Sequence, residues 1–105
     1  NVEKIKKAKQ IVINNMAEPP TLNEIADEIS LSVSKLKEGF KHIYGDTVFN
    51  FLLDYKLEFA RKLLVSKKHN ITEISNQIGY STASHFISAF KKKYGTTPKQ
   101  YMLSL

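Results

Sequence analysis

Ser34, Lys37, Glu38 and Lys41 fall at positions i, i+3, i+4 and i+7, the spacing that brings side chains onto one side of a helix. Val33, Leu36 and Phe40 take the opposite side. A helix here buries its apolar stripe and leaves a hydroxyl, two ammonium groups and a carboxylate outward, with Lys35 at the edge. Such groups hydrogen-bond base edges and phosphates. A shift of 50 residues places Ser84, Ile87, Ser88 and Lys91 on an equivalent stripe. The chemistry on offer is recognition rather than catalysis. The chain has no cysteine, which excludes disulfides and thiolate metal sites. His42, His69 and His85 do not have metal-ligand spacing, and no acids cluster with them. With no nucleophile–base pair and no glycine-rich phosphate loop, the chain is expected not to be an enzyme and to need no metal or cofactor.

The stripes assign roles. Ser34, Lys35, Lys37 and Glu38 on the first helix, and Ser84, Ile87 and Ser88 on the second, are the expected base contacts. Glu38 either accepts from a cytosine amino group or pairs with Lys35 or Lys41. Ile87 is turned outward by the periodicity. It either touches a thymine methyl group or packs against the edge of the core. Ser32, Lys41, Ser81, His85, Lys91 and Lys92 are the expected phosphate contacts, with the rim of the helix packing the competing and favoured place for His85. Serines make weak, adaptable bonds, so the first helix is expected to read sequence more strictly than the second.

The elements that must position these residues all read as helices. The first is predicted over 3–17, with Ile5, Ala8, Ile11, Val12 and Met16 on one face, and Glu18-Pro19-Pro20 ends it. Thr21 with Glu24 forms a capping box before a short helix that buries Leu22, Ile25, Ala26 and Ile29. A turn at Ser30-Leu31 leads to a helix capped by Ser32, with Leu36, Phe40 and Ile43 inward, stopped by Gly45. The longest helix, 48–66, carries Leu52, Leu53, Leu57, Ala60, Leu63 and Leu64 and reads as a connector. Asn70 with Glu73 opens the next helix, and Gly79 turns the chain. Ser81 or Thr82 caps a helix with Phe86, Phe90 and Tyr94 inward, and Gly95 stops it. Thr97-Pro98-Lys99-Gln100 is a third start signal.

The pattern thus occurs twice. FKHIYGDTVFNF, from Phe40, returns as FKKKYGTTPKQY, from Phe90. Leu22, Glu24, Ile25, Ile29 and Ser32 match Ile71, Glu73, Ile74, Ile78 and Ser81 at a spacing of 49, whereas Leu36, Phe40, Lys41, Tyr44 and Gly45 match Phe86, Phe90, Lys91, Tyr94 and Gly95 at 50. One extra residue therefore lies near the start of the second copy's second helix. Each copy is a short helix, a tight turn and a second helix, the helix-turn-helix pattern.

Charge agrees with an anionic partner. The 105 residues carry a net +6, with nucleic acid the first candidate and a membrane surface the second. Residues 18–46 are net −3, their acids crowded into 18–28 on the first helix of the first copy, away from the outer stripe. No apolar run is long enough to cross a bilayer, and the lack of cysteine suits a reducing cytoplasm.

The second copy, ITEISNQIGYSTASHFISAFKKKYGTTPKQYM, resembles the AraC/XylS family of transcriptional regulators, and LDYKLEFARKLL resembles that family's linker helix. The resemblance covers residues 21–102. Ser75 departs from the alanine most common there, and Lys56 and Met102 from arginine. Ser30 stands at a turn where many such proteins use glycine. KLKEGFKHIYGDTVFNFLLDY resembles a siderophore-responsive subgroup. The resemblance implies an all-α fold of about seven helices, with two helix-turn-helix subdomains joined by a long linker helix. The expected division is 1–47, 48–66 and 67–105, with a sensor or dimerisation domain preceding the chain. It implies sequence-specific binding of double-stranded DNA by recognition helices at about 32–44 and 82–94, in successive major-groove segments. RNA polymerase and the sensor domain are the further expected partners, the membrane is not, and the fragment is expected to be monomeric. The competing reading is a helical interaction module that docks on an acidic protein; steep loss of DNA affinity with salt separates the two.

Overall fold

A side-chain oxygen or a glycine marks most of the helix boundaries. The computed structural model describes all residues, 1–105. Seven helices follow in order: α1 (Val2–Asn14), α2 (Leu22–Glu28), α3 (Val33–Tyr44), α4 (Val48–Ser66), α5 (Ile71–Ile78), α6 (Ala83–Tyr94) and α7 (Pro98–Leu103), with no strand. All three expected capping boxes form. In the first, Glu24 N donates to Thr21 Oγ1 at 3.2 Å and Thr21 N donates to Glu24 Oε1 at 2.9 Å. Asn70 with Glu73, and Thr97 with Gln100, repeat it before α5 and α7. Each box satisfies donors that a helix start leaves free.

The end of α1 differs from expectation. It stops at Asn14 rather than residue 17, because Asn15 leaves helical geometry and its side-chain amide donates to the Ile11 carbonyl at 2.8 Å. Met16 therefore lies outside the helix, although it still packs half-buried on the first core.

The chain divides into two compact units, Asn1–Asp54 and Tyr55–Leu105, with the boundary inside α4. The first core gathers Ile5, Ala8 and Val12 of α1, Ile25, Ala26 and Ile29, Leu36 and Phe40, and Val48 and Leu52 at the start of α4. In the second unit, Leu57, Ala60 and Leu64 at the end of α4 are buried, as are Ile74, Ile78, Phe86 and Phe90. Ile5, Ala8 and Val12 have the same three-then-four spacing as Leu57, Ala60 and Leu64. The structural repeat is thus longer than the sequence repeat. The end of α4 opens the second unit as α1 opens the first.

The duplicated phrase builds one cluster twice. Phe40 meets Tyr44 at 4.8 Å and Phe51 at 5.4 Å between ring centroids. Phe90 meets Tyr94 at 4.6 Å and Tyr101 at 5.8 Å. Phe40–Phe51 and Phe90–Tyr101 are edge-on, the geometry that the ring quadrupoles favour. Of the other aromatics, Phe49 is exposed, whereas Tyr55 and Phe59 are half-buried against each other.

Both inter-helix turns pivot on a left-handed residue, Ser30 (φ 57°) in the first and Gly79 (φ 89°) in the second. The residue after each donates five back, Leu31 to Ala26 and Tyr80 to Ser75, both at 3.0 Å. Thr82, not Ser81, caps α6, as Ser32 caps α3. The inserted residue is therefore Ser81, in the turn before the helix rather than in the helix. Serine at Ser30 bears the steric cost of the left-handed conformation. Ser30→Gly is expected to stabilise the protein by about 0.5–1 kcal/mol, net of the looser unfolded chain. A higher urea midpoint with unchanged slope would register it. Gly39 serves packing instead. A Cβ there would stand 2.8 Å from Ile5 Cδ1, so its lack of a side chain lets α1 lie against α3.

Candidate nucleic-acid interface

The outer faces of α3 and α6 carry the expected contact residues. Ser32 Oγ accepts from Lys35 N at 3.2 Å, and Thr82 Oγ1 accepts from His85 N at 3.2 Å, so a side chain secures the start of each helix. Ser32, Ser34, Lys35, Lys37, Glu38 and Lys41 are all exposed, as are Ser81, Ser84, His85, Ser88, Lys91 and Lys92. Ile87 is half-buried rather than fully outward.

The stripe on α3 has two flanks. Lys37 and Lys41 border an apolar groove floored by Val12, Ile25 and Leu52, with the exposed Phe49 on its rim. Lys35 and Glu38 border the other flank, beside Val2, Ile5 and His42. Ser34 is exposed and lines neither groove. Glu38 makes no ion pair with Lys35 or Lys41 within 4.0 Å. On α6, Lys91 and Lys92 lie in the last turn, where cations face the negative end of the helix dipole.

Residues to which the sequence analysis gave no part in the interface brace α6. Ser75 is buried, and its hydroxyl donates to the Thr82 carbonyl at 3.2 Å, tying α5 to the cap of α6. Its counterpart in the first unit is Ala26, so a hydroxyl at a small buried position was the available signal. Lys56 places its ammonium 5.6 Å from the centre of the Tyr80 ring. Burial there lowers the Lys56 pKa and raises that of Tyr80.

Behind α6, Tyr94 Oη donates to Glu58 Oε2 at 2.8 Å. Arg61 Nε donates to Glu58 Oε1 at 3.0 Å, and Arg61 Nη1 donates to Tyr101 Oη at 3.3 Å. These bonds, first that from Arg61 and then that from Tyr94, hold the Glu58 carboxyl down at about 2 from its usual 4.5. Burial, then the bond to Glu58, raises Tyr94. A depressed carboxylate adds stability that is complete above about pH 4.5 and lost as pH falls toward about 2. Glu24, lowered by its bonds to Thr21, acts in the same direction. An acid titration followed by circular dichroism is therefore expected to show a shallower loss of stability below pH 4.5 in Glu58→Gln, which starts from a lower value at neutral pH. An acid limb as steep as that of the parent would refute the assignment.

Comparison with known proteins gives this arrangement a family. A helix-turn-helix domain family matches residues 25–104. The xylose operon regulatory protein of Escherichia coli K12 is 37% identical over 94 residues, covering 90% of this chain and 24% of that protein. The transcriptional regulator AlkR of Acinetobacter baylyi is 35% identical, covering 79% of this chain and 27% of that protein. The chain thus spans about a quarter of the length of these curated relatives. Among solved structures, a DNA-binding transcriptional dual regulator from E. coli K-12 superposes with a TM-score of 0.83 at 28% identity, over 96% of this chain and 90% of that one. The C-terminal domain of the response regulator AraT from Geobacillus stearothermophilus superposes with a TM-score of 0.86 at 29% identity, over 97% and 85%. With two capped helix-turn-helix units and a family match across most of its length, the chain belongs to the helix-turn-helix domains of AraC type.

Proposed function

We propose that this chain is the sequence-specific DNA-binding domain of a transcription regulator, with α3 and α6 as recognition helices in successive major-groove segments. The observation that carries this reading is the pair of exposed polar and basic stripes, each on a helix whose start is fixed by a side-chain cap. Ser34, Lys35, Lys37 and Glu38 on α3, and Ser84, Ile87 and Ser88 on α6, take the base edges. Ser32, Lys41, Ser81, His85, Lys91 and Lys92 take the phosphates. The whole protein adds a sensor or dimerisation domain, works in the cytoplasm and meets RNA polymerase at the promoter. As a finer step, the resemblance at Lys35–Tyr55 supports a siderophore as effector, which a change in operator affinity on adding iron-loaded siderophore to the full-length protein would test.

Selection from a random duplex library tests the central reading. Two short enriched elements about one helical turn apart, roughly 34 Å, are expected. No enrichment even at low salt would overturn it and favour the interaction module. Ile87→Ala is expected to weaken preference at one position of the second element by about fivefold or more, the loss of an apolar contact to a thymine methyl. Base-by-base competition reads this. Equal weakening at every position would assign Ile87 to the core instead.

A further inference from the structure

The two units treat the tyrosine at the end of the recognition helix differently. In the second, Tyr94 donates to Glu58, and Arg61 holds both Glu58 and Tyr101, so one carboxylate and one guanidinium join α4, α6 and α7. In the first, Tyr44 occupies the same place in the aromatic cluster, but Phe51 stands where Tyr101 stands and brings no hydroxyl. Matching α1 to the end of α4 through their buried residues sets Lys6 against Glu58 and Lys9 against Arg61. Lys9 lies 5.3 Å from the centre of the Tyr44 ring, and neither matched position, Lys6 or Lys9, offers Tyr44 a carboxylate. The first unit has the rings without the polar buckle.

The recognition stripes differ in the same sense. Toward the base edges the α3 stripe carries Lys35 and Lys37, whose long flexible stems can follow a displaced partner. The α6 stripe relies on Ser84, Ile87 and Ser88. A serine hydroxyl adapts by turning to donate or accept, but it lies close to its own backbone and cannot follow a base that moves out of hydrogen-bond distance. A helix that reads bases with short side chains needs a fixed seat.

We propose that Glu58 is a positioning residue for DNA readout: through Tyr94 and Arg61 it fixes the seat of α6 and with it the sequence preference for the second element. This rests on the reading of α6 as a recognition helix. The lowered pKa of Glu58 keeps the acceptor ionised, and the raised one of Tyr94 keeps the donor protonated, so the buckle stays closed across ordinary pH.

Tyr94→Phe removes one hydroxyl and no ring. Glu58→Gln removes the charge that holds Arg61. Tyr44→Phe is the internal control. Each is made in the whole chain and assayed on the selected duplex, at a temperature where circular dichroism shows the variant folded. Tyr94→Phe and Glu58→Gln are expected to lower discrimination between bases at the second element by about tenfold, the scale of one lost base contact. Discrimination at the first element and the salt slope should stay as in the parent, and Tyr44→Phe should change neither element. Weakening spread over both elements, or discrimination unchanged in Tyr94→Phe, overturns the proposal while leaving α6 a recognition helix. A parent protein that selects no second element overturns both. If Glu58→Gln does not fold, Tyr94→Phe decides.

Discussion

Phe90→Ala is expected to unfold the second unit. Phe90 is fully buried, with the rings of Phe86, Tyr94 and Tyr101 around it at 5.9, 4.6 and 5.8 Å. Truncation forfeits the transfer of a ring out of water and leaves a cavity, together about 3–5 kcal/mol. A unit of this size has a total stability of roughly 3–8 kcal/mol. One substitution thus removes from about two-fifths to all of what holds Tyr55–Leu105 together. Urea unfolding should show a strongly lowered midpoint, and amide exchange should show lost protection in residues 55–105 before residues 1–54. Phe40→Ala, which empties the matching place, should reverse that order. If Phe90→Ala shifted the midpoint by only a few tenths of a molar, the ring cluster would not be the centre of the unit.

The second large effect is on DNA binding. Replacing Lys41, Lys91 and Lys92 together by Ala is expected to flatten the salt dependence of affinity. Each phosphate contact releases counterions and contributes about −0.9 to the slope of log K against log salt. Three lost contacts remove about 2.7 from the slope, so over a fourfold rise in salt the parent loses roughly 40-fold more affinity than the triple variant. The order of base preference should persist, because phosphate contacts position the protein without reading sequence. Ser34→Ala with Lys37→Ala should do the reverse, altering preference at the first element while changing the slope by no more than about 0.9. Fluorescence anisotropy across a salt series measures both. Equal slopes in parent and triple variant would take these lysines off the backbone.

The features legible in the sequence are those whose physics is local. A capping box joins a side chain to a backbone group three residues away, so Thr21, Asn70 and Thr97 could be recognised with their partners Glu24, Glu73 and Gln100. The outer stripes could be read because helical spacing alone separates Leu36 and Phe40 from Ser34 and Lys41. Four features escaped, each for a physical reason. Asn15 ended α1 by bonding back to Ile11, a use of asparagine that competes with continued helix. The match between α1 and the end of α4 was hidden because their buried faces are both apolar but not the same residues. The choice of Thr82 over Ser81 depended on the turn, where either hydroxyl could cap. The bond from Tyr94 to Glu58 spans 36 residues and leaves no periodic trace. Ile87 lies between its two readings, since half-burial leaves it both a core edge and an exposed methyl surface.

The division of the chain inside α4 also bears on synthesis. Each unit draws its core from one uninterrupted stretch of polypeptide, and its caps join near neighbours. Such local wiring closes loops at little entropic cost and folds in microseconds to milliseconds. A ribosome adds only about 5–20 residues each second. The first stretch can therefore collapse onto Phe40 while the second is still being translated. Unpaired apolar surface on the nascent chain is then confined to one half at a time.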